Sequence, residues 1–556
     1  SATRVDASQL IEKGRENLSL YSNTFSSWST VSGSVTGGQA GYDGSNDAWL
    51  LTKNGDWSRV EQAISQTGVW TFSVYAKAGT TNWFALENGG VSSDTCYFNL
   101  SNGTKGSVGS GTIGSSIESV GNGWYRCSVT INSTSAIQRI YVATSNGNIN
   151  GSNGTIYIQD AQLEQGLVAT PYIETGATTA QAGILEDTPR FDYSGGATCP
   201  SLLLEPSRTN VAEQSEYQSS TIYGNQNVSI ADNAAISPEG LQNAAKIILD
   251  SGTNTSNGGH SYPFTSTAST DYTISVFAKA GEMRYFTFTY GSSAAGGGHF
   301  DLQEGTLLGT ITNGQYSNES ASIEDYGNGW YRLVVSLTDN SSVNNRYLSM
   351  KPSPSASVPT NNNYSSTGDG TSGAYIYGFQ LEASASYPTS YIPTYGSSQT
   401  RAGEVCGDAG DATTFNSTEG VLYAEIAALA NDGTYRIFSL NDGTREERVY
   451  IQYKPTSNEI SGVVKNGNVT QANISYTLSD ETQYAKIAFK WKENDFAFWV
   501  NGVERGTDTN GSVPVGLSNL AFDQGNDNNY LFGKVKQVLV FKEALSDTEL
   551  IKLTTI

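Results

Sequence analysis

The chain has few of the residues that build metal centres and nucleophilic sites, with four cysteines and two histidines in 556 residues. Cys96, Cys127, Cys199 and Cys406 are widely spaced and form no C-x-x-C pair. Neither histidine has a partner at ligand spacing, so zinc binding and a Cys–His nucleophile are disfavoured. A Cys96–Cys127 disulfide remains open. Cys127 also stands where a repeat of its motif has Leu333, which favours a small buried apolar role.

Positive charge and long apolar runs are also scarce. Asp and Glu outnumber Lys and Arg by 53 to 31, which gives a net charge of −22. A protein that binds nucleic acid needs a basic surface to pair with the phosphates, so we expect no nucleic-acid partner. No segment reaches the ~18 apolar residues of a membrane helix, so we expect no membrane insertion. The first residues lack an apolar signal segment, and we expect a chain that is cytosolic, already processed or exported within a larger assembly.

Glycine and aromatic residues are abundant, with 60 Gly, 32 Tyr and 11% aromatic residues overall. Low charge, many turn-forming residues and many aromatics are typical of short strands joined by tight turns. The length predicts roughly three to five domains.

An internal repeat covers the first two thirds of the chain. Six blocks recur in the same order: Arg15–Leu18 as Arg208–Val211, Trp70–Gly79 as Tyr272–Gly281, Phe98–Leu100 as Phe300–Leu302, Gly121–Arg126 as Gly327–Arg332, Gln162–Glu164 as Gln380–Glu382, and Tyr172–Ile173 as Tyr391–Ile392. The spacing changes only in Gly-, Ser- and Asn-rich stretches, where loops absorb insertions. The sequence therefore contains two diverged copies of one module.

The repeated blocks have the pattern of strands. Trp70, Phe72, Val74 and Ala76 alternate with polar residues, which predicts a half-buried antiparallel strand. The Gly-Asn-Gly that starts at Gly121 is a strong hairpin signal. Short strands with frequent turns over about 180 residues predict a β-sandwich of the jelly-roll type.

From about residue 403 the pattern changes to a different set of strands. Phe496–Val500 runs into Asn501-Gly502, another hairpin signal. Ser546 and Glu549 form a capping box, which predicts a short closing helix. These residues, with the Lys490-Trp491 strand, resemble the concanavalin A-like or laminin-G-like sandwich family. The resemblance implies two curved antiparallel sheets and, less firmly, sugar binding.

The patterns together predict an all-β chain with two tandem jelly-roll β-sandwiches and a C-terminal concanavalin A-like sandwich that ends in a short helix. The predicted segments are 1–175 for the first copy, 176–207 for an ordered connector, 208–402 for the second copy, and 403–556 for the third module.

The first 402 residues resemble bacteriophage head-spike and tail-fibre proteins with carbohydrate-binding-type jelly rolls. The resemblance rests on Val74–Gly79, Gly121–Arg126, Leu202–Asn210, Gln380–Glu382 and Thr389–Thr394. It implies a protein of the virion surface, made in the host cytoplasm, that forms a homo-oligomer, with a trimer as the expected state. It also implies other virion proteins and a host cell-surface glycan as partners.

Sugars bind on aromatic faces, with polar groups to fix their hydroxyls. The candidate glycan-binding residues are Tyr75, Lys77 and Trp83 in the first copy, and Phe277, Lys279 and Tyr285 at equivalent positions in the second. Because the positions are equivalent, a binding site is expected twice per chain. The alternative is that Tyr75 and Phe277 form a second core layer.

Asp160 is a candidate ligand for a structural calcium ion, the one cofactor that the resemblance suggests. The aligned Gly378 of the second copy has no ligand atom in its side chain. No nucleophile-elbow or P-loop motif occurs, and the repeated Glu164 and Glu382 belong to a Gln-Leu-Glu strand element, so we expect no enzyme activity. Two other functions stay open: a structural virion decoration protein without a ligand, and a secreted bacterial adhesin or depolymerase.

Overall fold

A computed structural model gives the fold and describes residues 2–135, 137–254, 259–291, 295–340, 345–361 and 366–555. Within these ranges almost all regular structure is β-strand, with one α-helix and three short 3-10 helices at Phe25–Ser27, Ser92–Asp94 and Ser194–Gly196. The predicted class is confirmed: two similar sandwiches are followed by a different sandwich and a short terminal helix.

Copy 1 is a sandwich of two six-stranded antiparallel sheets. Its strands are β1 (Thr3–Val5), β2 (Ile11–Lys13), β3 (Arg15–Asn17), β4 (Ser29–Val31), β5 (Gly33–Gln39), β6 (Ala48–Lys53), β7 (Arg59–Gln62), β8 (Gln66–Ala78), β9 (Trp83–Asn88), β10 (Thr95–Asn99), β11 (Thr104–Val108), β12 (Thr112–Gly121), β13 (Trp124–Ser135), β14 (Gln138–Ala143), β15 (Thr155–Gln165) and β16 (Ala180–Ala182). Sheet A has the order β12-β13-β8-β15-β6-β5, and sheet B has the order β11-β10-β9-β14-β7-β4. Phe72 and Val74 of sheet A meet Phe84 and Leu86 of sheet B in the core between them.

Copy 2 repeats the strand order of both sheets. After β17 (Phe191–Asp192) and β18 (Ser201–Leu204) come β19 (Arg208–Asn210), β20 (Gly224–Gln226), β21 (Val228–Ala235), β22 (Ala244–Leu249), β23 (Gly252–Asn254), β24 (Gly259–Thr265), β25 (Thr270–Ala280), β26 (Tyr285–Tyr290), β27 (Gly296–Asp301), β28 (Thr306–Ile311), β29 (Tyr316–Asp325), β30 (Trp330–Asp339), β31 (Asn345–Ser353), β32 (Ser366–Gly368), β33 (Gly373–Ala383) and β34 (Gln399–Arg401). Sheet A is β29-β30-β25-β33-β22-β21, and sheet B is β28-β27-β26-β31-β24-β20.

In both copies, the repeated polar blocks place a buried asparagine that makes the same hydrogen bonds to the backbone. Asn17 accepts a hydrogen bond from Leu163 N at 3.0 Å, and its amide donates to Ile173 O at 2.7 Å. In copy 2, Asn210 accepts from Leu381 N at 3.0 Å and its amide donates to Ile392 O at 2.9 Å. A buried amide that satisfies buried backbone groups is hard to replace, which explains why these blocks recur.

The central strands β8 and β25 differ from the prediction of a half-buried strand, because both of their faces are buried. Phe72 and Val74 fill the core, as predicted. On the other face Thr71 is also buried, and its hydroxyl donates to Gly166 O at 2.8 Å. The chain that follows β15 covers this face, and its contacts could not be read from the period of β8 alone.

The third module packs a seven-stranded sheet on a five-stranded sheet. Its strands are β35 (Glu419–Ala428), β36 (Arg436–Asn441), β37 (Arg448–Tyr453), β38 (Glu459–Asn466), β39 (Val469–Thr477), β40 (Ala485–Lys492), β41 (Phe496–Val500), β42 (Val503–Asp508), β43 (Asn519–Ala521) and β44 (Gly533–Phe541). The sheets have the orders β17-β18-β44-β35-β40-β41-β42 and β39-β38-β37-β36-β43. The predicted helix follows as α1 (Asp547–Thr554), and Ser546 with Glu549 forms its capping box.

The chain forms two compact units. One consists of Ser1–Thr3, Leu10–Asp187 and Thr209–Thr400, and so contains both jelly rolls; the other consists of Arg4–Gln9, Thr188–Arg208 and Arg401–Ile556. Most of the predicted connector thus belongs to the second unit, where β18 pairs with β44 through Leu203 and Lys534. The predicted segment boundaries stay predictions.

Ion pairs fix the connector within the second unit. The Arg190 guanidinium lies 2.7 Å from Glu205 and 2.5 Å from Glu404, and Arg401 lies 2.6 Å from Glu205. None of the helices in the described ranges has the length and hydrophobicity needed to cross a bilayer.

Candidate functional site

The outer face of sheet B in copy 1 carries a row of polar side chains, which we name the polar ladder. It crosses five adjacent strands in the order Thr95, Glu87, Arg139, Glu61 and Ser29. Arg139 donates to Glu87 Oε1 at 2.5 Å and to Glu61 Oε2 at 2.9 Å. Thr95 Oγ1 donates to Glu87 Oε2 at 3.0 Å. The ladder exists because successive residues of a strand point to opposite faces, and Val60, Leu86 and Ile140 point into the core.

Aromatic side chains lie beside the polar ladder on the same face. Trp83 and Tyr97 are half-buried, and Tyr141 is only 2% exposed. All three pack with Ile149 from the loop after β14. Glu87 is buried, at 4% exposure, whereas Arg139 and Glu61 are half-buried like Trp83 and Tyr97. The accessible part of the face thus combines aromatic side chains with a guanidinium and a carboxylate, groups that suit a polyhydroxylated ligand.

The charges of the polar ladder are balanced, because Arg59 and Arg139 face Glu61 and Glu87. Arg59 Nε donates to Glu61 Oε2 at 2.7 Å. Burial by itself would raise the pKa of Glu61, but hydrogen bonds from Arg59 and Arg139 outweigh it and hold that pKa below its usual range. Burial, and then the charge of Glu87, raises the pKa of Tyr141, so its hydroxyl stays protonated and donates to Glu87 Oε2 at 3.3 Å.

Copy 2 has small uncharged residues at the positions of the polar ladder. They are Gly297, Thr289, Ser349, Ser261 and Gly224 in the same order across the sheet. The chain after β31 lies against this face, where His299 Nε2 is 2.9 Å from Ser355 O. Within the described residues, the charged ladder belongs to copy 1 alone, which departs from the expectation of one equivalent site in each copy.

The candidates Tyr75 and Phe277 lie on the outer face of sheet A and are buried, at 8% and 1% exposure. Tyr75 stacks on Tyr42 with ring centroids 3.9 Å apart, and Phe277 meets Tyr326 edge-on at 4.8 Å. Neither ring has an open face on which a sugar could stack. Their environment matches the alternative of a second core layer, and we remove both rings from the candidate ligand contacts.

The other four candidates are half-buried. Lys279 Nζ donates to Asn328 O at 2.7 Å, in the Gly-Asn-Gly turn, and Lys77 lies against the matching Gly123. The guanidinium carbon of Arg284 lies 5.5 Å from the centroid of the Tyr285 ring. Trp83 differs from the rest because it shares the outer face of sheet B with the polar ladder, four residues from Glu87 along β9.

Asp160 adopts a left-handed backbone conformation, with φ of 53°, at a break in the pairing of β15 with β8. Its carboxylate accepts a hydrogen bond from Tyr42 OH at 2.9 Å. Burial raises the pKa of Asp160 to about 7. Across the described parts of the chain, no group of three or more His, Cys, Asp or Glu side chains is placed to hold a metal ion. The calcium prediction stays untested.

The repeated glutamates support the backbone. Thr170 N donates to Glu164 at 2.9 Å, and Thr389 N donates to Glu382 at 3.1 Å. All four cysteines are free, so the Cys96–Cys127 pair left open by the sequence is not a disulfide here.

Arg59, Glu61, Glu87, Arg139 and Tyr141 were not candidates in the sequence analysis. A local signal exists in Arg59-Val60-Glu61, where charges flank a buried valine. These residues form a site only when the register of β7, β9 and β14 is known, because the three strands are far apart in sequence.

Comparison with known families identifies the third module. Residues 409–551 match the family described as the concanavalin A-like lectin/glucanases superfamily, which confirms the resemblance predicted for this region. No curated protein matches the chain.

Similar solved structures are distant. They include the carbohydrate-binding module of the Ruminococcus gnavus IT-sialidase bound to alpha2,3 sialyllactose, with 15% identity, TM-score 0.23, and 27% of this chain and 95% of that chain covered. A tandem pair of such modules from Paenibacillus barcinonensis Xyn10C has 10% identity, TM-score 0.20, and coverage of 66% and 96%. Mouse laminin alpha1 domains LG4-5 have 9% identity, TM-score 0.18, and coverage of 53% and 92%. Likeness at this level assigns no function to the chain.

Proposed function

We propose that the chain is a bacteriophage head or tail appendage that binds a host cell-surface glycan on the outer face of sheet B in copy 1. The observation that supports glycan binding is the polar ladder, in which Arg139 bonds to both Glu61 and Glu87, on the same sheet face as Trp83 and Tyr97. Sugar hydroxyls pair well with carboxylates and guanidinium groups, and sugar rings stack on aromatic side chains.

The charge of the site favours an uncharged glycan. Arg139 of the ladder and the neighbouring Arg59 balance Glu61 and Glu87, while the chain as a whole carries a net charge of −22. A strongly acidic glycan would be repelled at long range without a compensating basic patch at the site.

Binding of a panel of host polysaccharides by calorimetry tests the site. We expect about one glycan site per chain, and we expect Trp83→Ala to weaken binding at least tenfold. Tyr285→Ala, at the equivalent position of copy 2, is the matched control and should bind as wild type. Equal loss in both variants would place binding in both copies, and an unchanged Trp83→Ala affinity would contradict a site beside the ladder.

The virion location rests on the sequence resemblance of residues 1–402, including Leu202–Asn210 and Thr389–Thr394. Electron microscopy of purified particles with an antibody against the chain should show label on a fibre or spike. Light scattering should show an oligomer, with a trimer as the expected state. Absence from particles together with a monomer would refute this part of the proposal.

Two other outcomes have separate signatures. A decoration protein without a ligand would label particles but bind no polysaccharide. A bacterial depolymerase would release reducing ends from host capsule, and we expect no release.

A further inference from the structure

A cluster of acidic and phenolic side chains surrounds the Lys13 ammonium on the outer face of sheet A in copy 2. The Lys13 ammonium lies 2.9 Å from Glu216 Oε1, 3.0 Å from Glu239 Oε2 and 2.7 Å from the hydroxyl of Tyr395. The hydroxyls of Tyr377 and Tyr391 also donate to Glu216 Oε1, at 3.0 and 3.2 Å. We name Glu216, Glu239, Tyr377, Tyr391 and Tyr395 the ammonium pocket.

The ammonium pocket is closed to solvent, which makes its charges interdependent. The side chains of Lys13 and Glu216 are 8% and 0% exposed. Burial by itself would lower the pKa of Lys13, but the charges of Glu216 and Glu239 outweigh it and hold that pKa above its usual value. Without the ammonium, two carboxylates would face each other in a buried site, an arrangement that is strongly unfavourable.

The ammonium pocket is not part of the architecture that the two copies share. Both copies keep one hydrogen bond of this region, Ser22 to Tyr172 at 2.6 Å in copy 1 and Ser215 to Tyr391 at 2.7 Å in copy 2. The charged and phenolic groups differ. Strand register and block spacing give the equivalent positions in copy 1. Glu216, Tyr377 and Tyr395 of copy 2 are replaced there by Asn23, Gln159 and Gly176. Of the two copies, copy 2 has the acidic and phenolic groups that surround this ammonium.

The strand that carries Lys13 is docked on the same face. Ile11 is 4% exposed and packs with Phe277, Trp330 and Tyr377. Its backbone N–H donates to Pro238 O at 2.9 Å. The lysine therefore enters the pocket from the N-terminal strand β2, which lies outside the two sheets of copy 1 and packs on copy 2.

We propose that the ammonium pocket is a binding site for a primary ammonium on an unbranched aliphatic stem, with Lys13 as its resident occupant. When the Lys13 ammonium is in the pocket, it holds the segment Leu10–Lys13 on copy 2. This contact joins the two copies within their unit. The proposal does not depend on glycan binding.

Chemical rescue of Lys13→Ala tests the pocket. The variant removes the ammonium and the three methylene groups that carry it and leaves two buried carboxylates without their cation, so its thermal midpoint should fall by several degrees. Propylammonium at millimolar concentration should restore the midpoint in a saturable way, whereas 1-propanol and an equal concentration of NaCl should not. If the variant does not fold, the same comparison is made on the yield of refolded protein with and without propylammonium.

Two further variants separate the pocket from general stabilisation. Glu216→Gln with Glu239→Gln in the Lys13→Ala background removes both carboxylates, and propylammonium should then have no effect. Lys246→Ala is the control for an exposed pair, since Lys246 lies 2.7 Å from a glutamate that is 54% exposed, and it should show no rescue. Equal rescue by propanol, or rescue that survives loss of both carboxylates, would overturn the proposal.

Discussion

Single side chains at equivalent positions of the two copies have different surroundings. Tyr75 stacks on Tyr42, while Phe277 packs against Tyr326 and Tyr391. An arginine covers each ring. The guanidinium carbon of Arg126 lies 5.3 Å from the centroid of the Tyr75 ring, and that of Arg332 lies 5.7 Å from the centroid of the Phe277 ring. The sequence predicted the equivalence correctly, but burial depends on the segments that cover each sheet, which the repeat does not specify.

Phe277→Ala should lower the free energy of unfolding by about 3–5 kcal/mol, because a fully buried ring leaves a cavity when removed. Urea denaturation followed by fluorescence measures the change. Tyr285→Ala removes a half-buried ring and should have an effect several times smaller. Similar losses in the two variants would mean that Phe277 is not the better packed ring.

Asp160 should make stability depend on pH. Burial raises its folded-state pKa to about 7, above the unfolded value, so the folded state binds the proton more tightly. The free energy of unfolding should therefore fall as the pH rises from about 4 to about 7 and then level off. Asp160→Asn should flatten this decline and be more stable than wild type at pH 8, by at most about 4 kcal/mol.

The control for this prediction is Asp43→Asn, measured over the same pH range. Asp43 is exposed, and a hydrogen bond from Ser45 lowers its pKa, so the variant should not gain stability at pH 8. A decline that persists in Asp160→Asn would assign the pH dependence to another group.

Elements whose signals are local were predicted best. The period of Trp70–Lys77 identified β8, and Gly-Asn-Gly identified a turn in which Asn122 and Gly123 have φ of 53° and 78°. The polar ladder was not found, because its residues become neighbours only through the pairing of β9 with β10 and β14. Such pairing is set by the whole sandwich and is not encoded within any one strand.

The capping box of α1 should contribute measurably to the third module. The Ser546 hydroxyl accepts from the backbone N–H of Glu549 at the helix start, and it lies 2.6 Å from Glu549 Oε2. Ser546→Ala should lower the free energy of unfolding by about 1 kcal/mol. Lys552→Ala, in the last turn of the same helix, is the control and should change it by a few tenths. A neutral Ser546→Ala in urea denaturation would show that packing of Leu550 alone holds the helix.

At the scale of the molecule, duplication was predicted from block order, and the strand order of both sheets confirms it. The expectation that function is duplicated as well does not follow from shared topology. Copy 1 keeps the charged ladder, and copy 2 has the ammonium pocket around Glu216 and Glu239. The two copies share the residues that hold the fold and differ in those on their outer faces.

The third module should need part of the connector to be complete. A fragment of residues 401–556 lacks β18, whose Leu204 is buried in the core of that module. A peptide of residues 188–208 added to this fragment should raise its thermal midpoint in a saturable way, because it supplies the missing strand. The same peptide with Leu204→Asp should not. If the fragment is equally stable with and without the peptide, the strand is dispensable.

The pairing of β18 with β44 also has a consequence for synthesis. Leu203 and its partner Lys534 are separated by roughly 330 residues, which at about 5–20 residues per second takes a ribosome roughly 15–65 s to translate. During that interval the leucines of β18 have left the ribosome while their partner strand does not yet exist. Chains that stall before β44 would expose an unpaired apolar strand, so the rate of translation and the supply of chaperones should govern how much intact protein a cell accumulates.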